Sequence, residues 1–483
     1  MRGITTFFNS TMEPATQLPL REIPGSYGIP FFGAIKDRRD YLYNYGGIDG
    51  FFKAKIAEHN STVFRYNMFP GPFIASDSKC VVLLDAKSFP VLYETDKVDK
   101  ERGLLGTFMP DLDFYGGYVP LAYQDTSNPF HNQFKAFFLN ILGSRHHKFV
   151  PLFKTGISEL FDSLESEIAA KKSADFNTLN RNITFDYIFR LAFDTNPTDT
   201  KLGSDGPGII ANWFNYQVAP IAPSLGIKYL PHFIEDLIHT FRLPFALVKS
   251  DYKKLTEVIY DVGKTHLDEA EKLGMKRDEA VHNLIMCLFF NGSTGFRVFY
   301  PIMFKWIGLA GESLHKRIAD EVRSVVAESG DGTIALAALE KMSLVKSVVW
   351  EAFRIQPPVT NQCGRAKKDL IVQSHTDSFE IKKGGLIYGY QLFATNDEKI
   401  FGSFQEFVPD RFVGEEAQEK LLPYVLWSGG RETDMPMPEN KQCPGKNLVL
   451  TMTRLIVAEF FLRYDTYTIE EGSEVTITSL KKA

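Results

Sequence analysis

Cysteine is scarce: there are four in 483 residues, Cys80, Cys287, Cys363 and Cys443. So widely spaced, they form neither a disulfide framework nor the paired pattern of a zinc site, and a reducing compartment suits them. There the sequon Asn60-Ser61-Thr62 carries little meaning, because glycosylation needs a secretory route. A basic surplus is missing as well. The net charge is −5 and the pI near 6.1, so no cationic excess exists to neutralise phosphates and a nucleic-acid partner is excluded. No apolar run approaches the ~18–20 residues that a membrane-spanning helix needs. Internal repeats, low-complexity tracts and linkers are absent too. Residues 1–18 hold some Ser and Thr with a single Arg and a single Glu, and are short for a plastid transit peptide. We expect a loose leader over 1–18 and a single catalytic domain over 19–483, entered through an extended Pro19–Gly25 segment because Pro and Gly stop helices there.

What the chain has in plenty is phenylalanine, 41 residues of it, which supplies apolar area with no polar atom to satisfy. A well-filled core is the plain account, and a long lipid pocket the sharper one. Val63, Phe64 and Tyr66, then Pro70-Gly71, then Phe73 and Ile74 predict a hairpin over 60–77. Most of the rest is helical. Leu314, Ile318, Val322 and Val325 keep helical spacing up to Gly330-Asp331-Gly332. A second helix is expected from Ser343, as N-cap, to Arg354, stopped by Pro357-Pro358. A third starts after Gly445 and carries Leu448, Leu455, Ile456 and Phe460, and Thr466–Ile477 alternates like short strands. The fold class is mainly α with a minor β region.

The chemistry starts at Asn440-Lys441-Gln442-Cys443-Pro444-Gly445-Lys446. A cysteine just before a helix has free backbone N–H groups and a helix dipole aimed at its sulfur, which favour the thiolate. As an axial iron ligand such a thiolate pushes electron density onto haem and promotes O–O cleavage. Taken alone, Cys-Pro-Gly is a buried structural cysteine, and the Glu351/Arg354 pair, three apart on a helix, is an ordinary ion pair. The order of motifs changes this: Glu351-x-x-Arg354, then Pro409-Asp410-Arg411-Phe412, then the cysteine loop. That order resembles the cytochrome P-450 superfamily. The resemblance implies its fold, haem b as cofactor, Cys443 as the iron ligand, and a buried triad of Glu351, Arg354 and Arg411 that locks the cysteine loop.

Two departures narrow the resemblance. A polar insert, Glu432–Gln442, separates Trp427-Ser428-Gly429-Gly430-Arg431 from Cys443. In Phe289-Phe290-Asn291-Gly292-Ser293-Thr294-Gly295-Phe296 no acid stands beside Thr294, so the proton relay of an oxygen-activating site is missing. A substrate that brings its own O–O bond removes the need. Both features resemble the plant fatty-acid hydroperoxide branch of allene oxide synthases, hydroperoxide lyases and divinyl ether synthases. This resemblance runs through Pro24-Gly25-Ser26-Tyr27-Gly28, Gly364-Arg365-Ala366-Lys367-Lys368-Asp369 and Asn440-Lys441-Gln442-Cys443. It implies that Lys100, His131, Lys135 and Lys441 contact the haem propionates, the lysines as cations offsetting two carboxylates in a dry pocket. Asn291 would hold the hydroperoxide, its amide offering a donor and an acceptor without titrating.

By the same resemblance the substrates are 9- or 13-hydroperoxides of linoleic or linolenic acid, whose O–O bond is split homolytically to give an epoxyallylic radical. NADPH, a reductase and dioxygen are not needed. Leu104 falls where allene oxide synthases carry Phe, and Thr294-Gly295 replaces a Gly-Gly pair, so a β-branched side chain should reshape the space above the haem. Leu104 points to lyase or divinyl ether chemistry and Thr294 to the divinyl ether branch, so divinyl ethers are the expected product. Hydroperoxide lyase and then allene oxide synthase are the alternatives, and NADPH-dependent turnover with a reductase would instead restore a monooxygenase. The weak leader suggests a cytoplasmic location rather than a plastid one and leans to 9-isomers, and a lipophilic substrate is compatible with peripheral membrane contact.

Overall fold

The computed structural model describes residues 18–68, 74–222, 230–329, 332–470, 472 and 475–483. All but Leu18 of the 1–18 leader lies outside them, as do Pro70-Gly71, Phe73 and Gly330-Asp331 from the sequence expectations. The fold is mainly helical with a minor β region. Seven helices position the cysteine loop and its surroundings: α1 (Pro129–Ser144), α2 (Phe176–Phe193), α3 (Arg277–Ile285), α4 (Thr294–Ala310), α5 (Glu312–Ser329), α6 (Ser343–Ile355) and α7 (Lys446–Arg463).

Local chemistry sets most of their ends. Asn128 caps α1 by accepting from the Phe130 amide at 3.0 Å, with Pro129 pre-set for the first turn. The α5 stripe buries Leu314, Ile318, Val322 and Val326. Val326 replaces the expected Val325 because the step from Val322 is four residues. At α6 the expected cap is wrong. Met342 occupies the N-cap position and Ser343 is already helical. The free amides of Leu344 and Val345 instead donate to the Glu321 carboxylate of α5, at 2.8 and 2.9 Å. A neighbouring helix thus supplies the acceptor and the favourable negative charge. Between α3 and α4 the chain runs through a π segment, Met286–Ser293.

The strands are β1 (Val63–Asn67), β2 (Lys79–Leu83), β3 (Val98–Asp99), β4 (Asn361–Ala366) and β5 (Leu386–Tyr390), joined as one sheet in the order β1-β2-β5-β4-β3. β2 lies parallel to β5, while the other pairs are antiparallel. The hairpin therefore returns at Lys79. Ile74, expected in its second strand, lies in a turn. The alternating tail forms two antiparallel strands, Tyr464–Glu470 and Thr476–Lys482.

The phenylalanines fill the core, and several also line a cavity. Phe304 of α4 packs edge-on to Phe460 of α7 at 5.1 Å, and Phe299 stacks on Phe353 of α6 at 3.7 Å. Each fully buried ring contributes about 1.5–3 kcal/mol over leaving it exposed. Phe138, Phe214, Phe290, Phe296, Phe299 and Phe353 also line a cavity beside α1, α4 and α7. No helix among the described residues is long and apolar enough to cross a membrane.

Candidate functional site

The cavity measures about 500 Å³ and is mostly apolar, with Cys443, Asn291, Thr294, Leu104, His131, Lys135 and Lys441 on its wall. Six of these positions come from three segments that the sequence singles out and the fold brings together. Lys100 is the exception. It is not part of the wall, and its ammonium donates to Gln362 Oε1 at 2.7 Å beside the Tyr93 ring.

Cys443 lies in the turn before α7. Its amide donates to the Ser428 carbonyl at 3.0 Å and its own carbonyl accepts from Lys446 at 3.2 Å. Gly429 makes this approach feasible. Its φ is +74°, and a Cβ there would overlap the Lys441 carbonyl oxygen. Of the amides expected at the sulfur, Gly445 donates to it. Burial nevertheless pushes the thiol up, against Gly445 and the Lys135 charge. The thiolate expected from helix-end geometry is thus held back by desolvation.

Positive charge collects beside it. His131 and Lys135 share one face of α1 by their four-residue spacing. Lys135 Nζ donates to the carbonyl and side-chain oxygens of Asn440, at 2.5 and 2.9 Å. Lys441 Nζ is met by the carbonyls of Leu121, Ala122 and Gln124, at 3.2, 3.2 and 2.7 Å. Burial lowers Lys100 and Lys135 to about 8, and burial with repulsion from both of them lowers Lys441 to about 7. His131 is 1% exposed, and burial takes it down to about 4, leaving a neutral imidazole that contacts Asn132. None of the three lysines has a carboxylate in ion-pair contact among the described residues. The nearby Asp125 is taken by Lys367 at 2.8 Å. This is a cluster of desolvated cations holding only neutral acceptors.

Opposite stands the π segment. In its wider turn the Phe289 carbonyl, which accepts from the Thr294 backbone amide, also accepts from Ser293 Oγ, at 3.0 Å, and Thr294 Oγ1, at 3.1 Å. The Thr294 hydroxyl is therefore committed to the helix, and its methyl-bearing branch adds bulk to the wall. The Asn291 amide makes no hydrogen bond among the described residues and is exposed to the cavity. Leu104 is half-buried, held by its amide to the Phe108 carbonyl at 2.7 Å. Cys287, which sequence reasoning leaves without a role, also lines the cavity, its thiol pushed up to about 12 by burial.

Glu351 and Arg354 of α6 and Arg411 form one closed group. Arg354 donates twice to Glu351, at 2.7 and 2.8 Å, and Arg411 Nε reaches both carboxylate oxygens at 3.0 and 2.9 Å. Glu351 and Arg354 side chains are fully buried. The remaining guanidinium bonds go to Thr395, Asn396, Gly402, Ser403, Phe404 and Glu406. The triad thus fixes the segment from 395 to 408, where the Val408 amide donates to Glu351. It makes no direct bond to the cysteine loop, contrary to the expected lock. That loop is held through the insert instead, a connection invisible in sequence because Glu432 pairs with Trp350, 82 residues away.

Known proteins resemble this chain over nearly its whole length. Residues 312–482 match the cytochrome P450 family. Allene oxide synthase 3 of Solanum lycopersicum is 50% identical over 473 residues, covering 96% of this chain and 95% of the relative. The 9-divinyl ether synthase of Capsicum annuum is 48% identical over 482 residues, 98% of this chain and 99% of that one. Divinyl ether synthase CYP74D1 of Solanum lycopersicum is also 48% identical over 482 residues, with the same coverage.

Proposed function

Because this chain belongs to the cytochrome P450 family, among the allene oxide and divinyl ether synthases, we propose that it rearranges polyunsaturated fatty-acid hydroperoxides to divinyl ethers. One observation carries the proposal: Cys443 and the unengaged side-chain amide of Asn291 share one apolar cavity edged by buried Lys135 and half-buried Lys441, neither with a carboxylate partner among the described residues. Haem, which family membership implies, fits these residues, and we take it as haem b. Cys443 supplies the sulfur ligand, and Lys135 and Lys441 supply charge for two propionates in a dry site. His131, being neutral, offers a ring N–H.

When bound, haem supplies one-electron cleavage of a peroxide O–O bond. The chain supplies the rest. Asn291 orients the hydroperoxide as donor and acceptor without changing charge. The Phe-rich wall excludes water and takes the acyl chain. Thr294 gives no proton, since its hydroxyl is spent on Phe289, which suits a substrate needing no protonated dioxygen and no reductase. Leu104 offers an aliphatic wall in place of an aromatic face, which disfavours the route to allene oxide. The 50% identity to allene oxide synthase 3 favours allene oxide formation as the second product.

The test is incubation of haem-loaded protein with 9- and 13-hydroperoxides of linoleate, without NADPH, and product identification by mass spectrometry. Divinyl ethers are expected. Ketols from a hydrolysed allene oxide would transfer the chain to the second product, short aldehydes would make it a lyase, and no turnover would sink the proposal. Leu104→Phe should shift the product ratio toward allene oxide by about tenfold, the worth of ~1.4 kcal/mol in a barrier.

A further inference from the structure

The polar insert between Arg431 and Cys443 is anchored by one buried acid that neither the resemblance nor the triad accounts for. The Glu432 side chain is 8% exposed. Its Oε2 accepts from Trp427 Nε1 at 2.6 Å and its Oε1 from Trp350 Nε1 at 3.1 Å. Lys446 Nζ lies 3.8 Å from Oε2 and also donates to the Glu432 and Asp434 carbonyls. The three partners have distinct places. Trp427 is on the cavity wall, its ring 4.3 Å from that of Phe353. Trp350 is on α6 one residue before Glu351, and Lys446 is the first residue of α7, three after Cys443. Ser428, next to Trp427, accepts the Cys443 amide.

We propose that Glu432 is the positioning residue of the cysteine loop, clamping Trp427, Trp350 and Lys446 so that the cavity wall, the triad helix and the start of α7 keep one registry around Cys443. Glu432 performs the locking that the triad, with its bonds directed at 395–408, does not. Two indole N–H donors on one carboxylate need both oxygens as acceptors. An amide offers one acceptor and turns a donor toward the other indole.

The inference rests on haem ligation by Cys443, so wild type comes first. If haem-loaded wild type lacks the red-shifted carbon monoxide band of a thiolate-bound haem, that underlying assignment fails, and the Glu432 proposal with it. If wild type shows the band, Glu432→Gln should release haem about 10–100-fold faster to a scavenging apoglobin and lose a large part of that band, the scale of a ligand-orienting contact. Trp427→Phe removes one donor, and adding Glu432→Gln to it should cost much less than in wild type, because the two residues act through one bond. Tryptophan fluorescence should also move in Glu432→Gln. If Glu432→Gln fails to fold, Trp427→Phe combined with Lys446→Met carries the same spectral test from the partner side. A wild-type band with unchanged haem release, or strict additivity of the two substitutions, overturns the proposal.

Discussion

Two groups of buried charge lie in this molecule, and they are finished differently. In the triad, Glu351 meets Arg354 and Arg411 and every remaining guanidinium bond ends on a carbonyl or amide oxygen. The lysine cluster of Lys100, Lys135 and Lys441 is also withdrawn from water, but its partners are neutral and its members repel one another. Burying a charge is tolerable when a counter-charge and hydrogen bonds accompany it, and costly otherwise. The first group is complete within the chain and holds a fold. The second has no counter-charge in ion-pair contact among the described residues, and under the proposed function the haem propionates would supply it.

The largest effect should come from breaking the complete group. Glu351→Ala strands two guanidinium groups and should cost about 3–5 kcal/mol of stability, read by denaturant unfolding. A loss below ~1 kcal/mol would mean that the carbonyls around residues 402–406 suffice. The matching change in the other group runs the opposite way. Lys135→Met with Lys441→Met removes uncompensated charge, so the haem-free protein should become more stable. Haem affinity should fall about 10–100-fold per lysine, the worth of a charge-assisted bond at ~1.5–3 kcal/mol. A less stable haem-free variant with undiminished affinity would erase the distinction between the groups.

A smaller effect is the pH dependence. Burial lowers Lys100 and Lys135 from 10.5 to about 8. Below about 8 both folded and unfolded chains hold these protons, and the burial penalty is full. Between about 8 and 10.5 the unfolded chain binds more protons, so stability of the haem-free protein should rise with pH across that window. Propionates beside the lysines would restore their charge, and the rise should flatten in the haem-loaded protein. Parallel pH profiles with and without haem would contradict this pairing.

These contrasts are unevenly legible in the sequence. Cys443 and the start of α7 can be read because a cysteine, a glycine and a helix start lie within a few residues. Glu351 and Arg354 can be paired by helical spacing, whereas Arg411 joins them by resemblance alone. The cap of α6 escapes sequence reasoning because Glu321 arrives from another helix, a tertiary contact without a local signal. The π segment is also hidden. Residues 286–293 carry no marker of an extra residue in the turn, yet that turn directs the Thr294 hydroxyl to Phe289. Lys100 belongs with the other lysines by resemblance, but Gln362 and the Tyr93 ring draw it outside the wall. In sequence Glu432 is one acid in a polar insert, and only its proximity to two indoles shows otherwise.

The most direct test of the central claim is the absorption spectrum of wild type and Cys443→Ser after equal haem loading, with and without carbon monoxide. A thiolate spectrum is expected in wild type. In Cys443→Ser haem should still be held by the lysines, but the thiolate band and hydroperoxide turnover should be lost. A Cys443→Ser protein that keeps the wild-type spectrum and turns over hydroperoxide would contradict the claim.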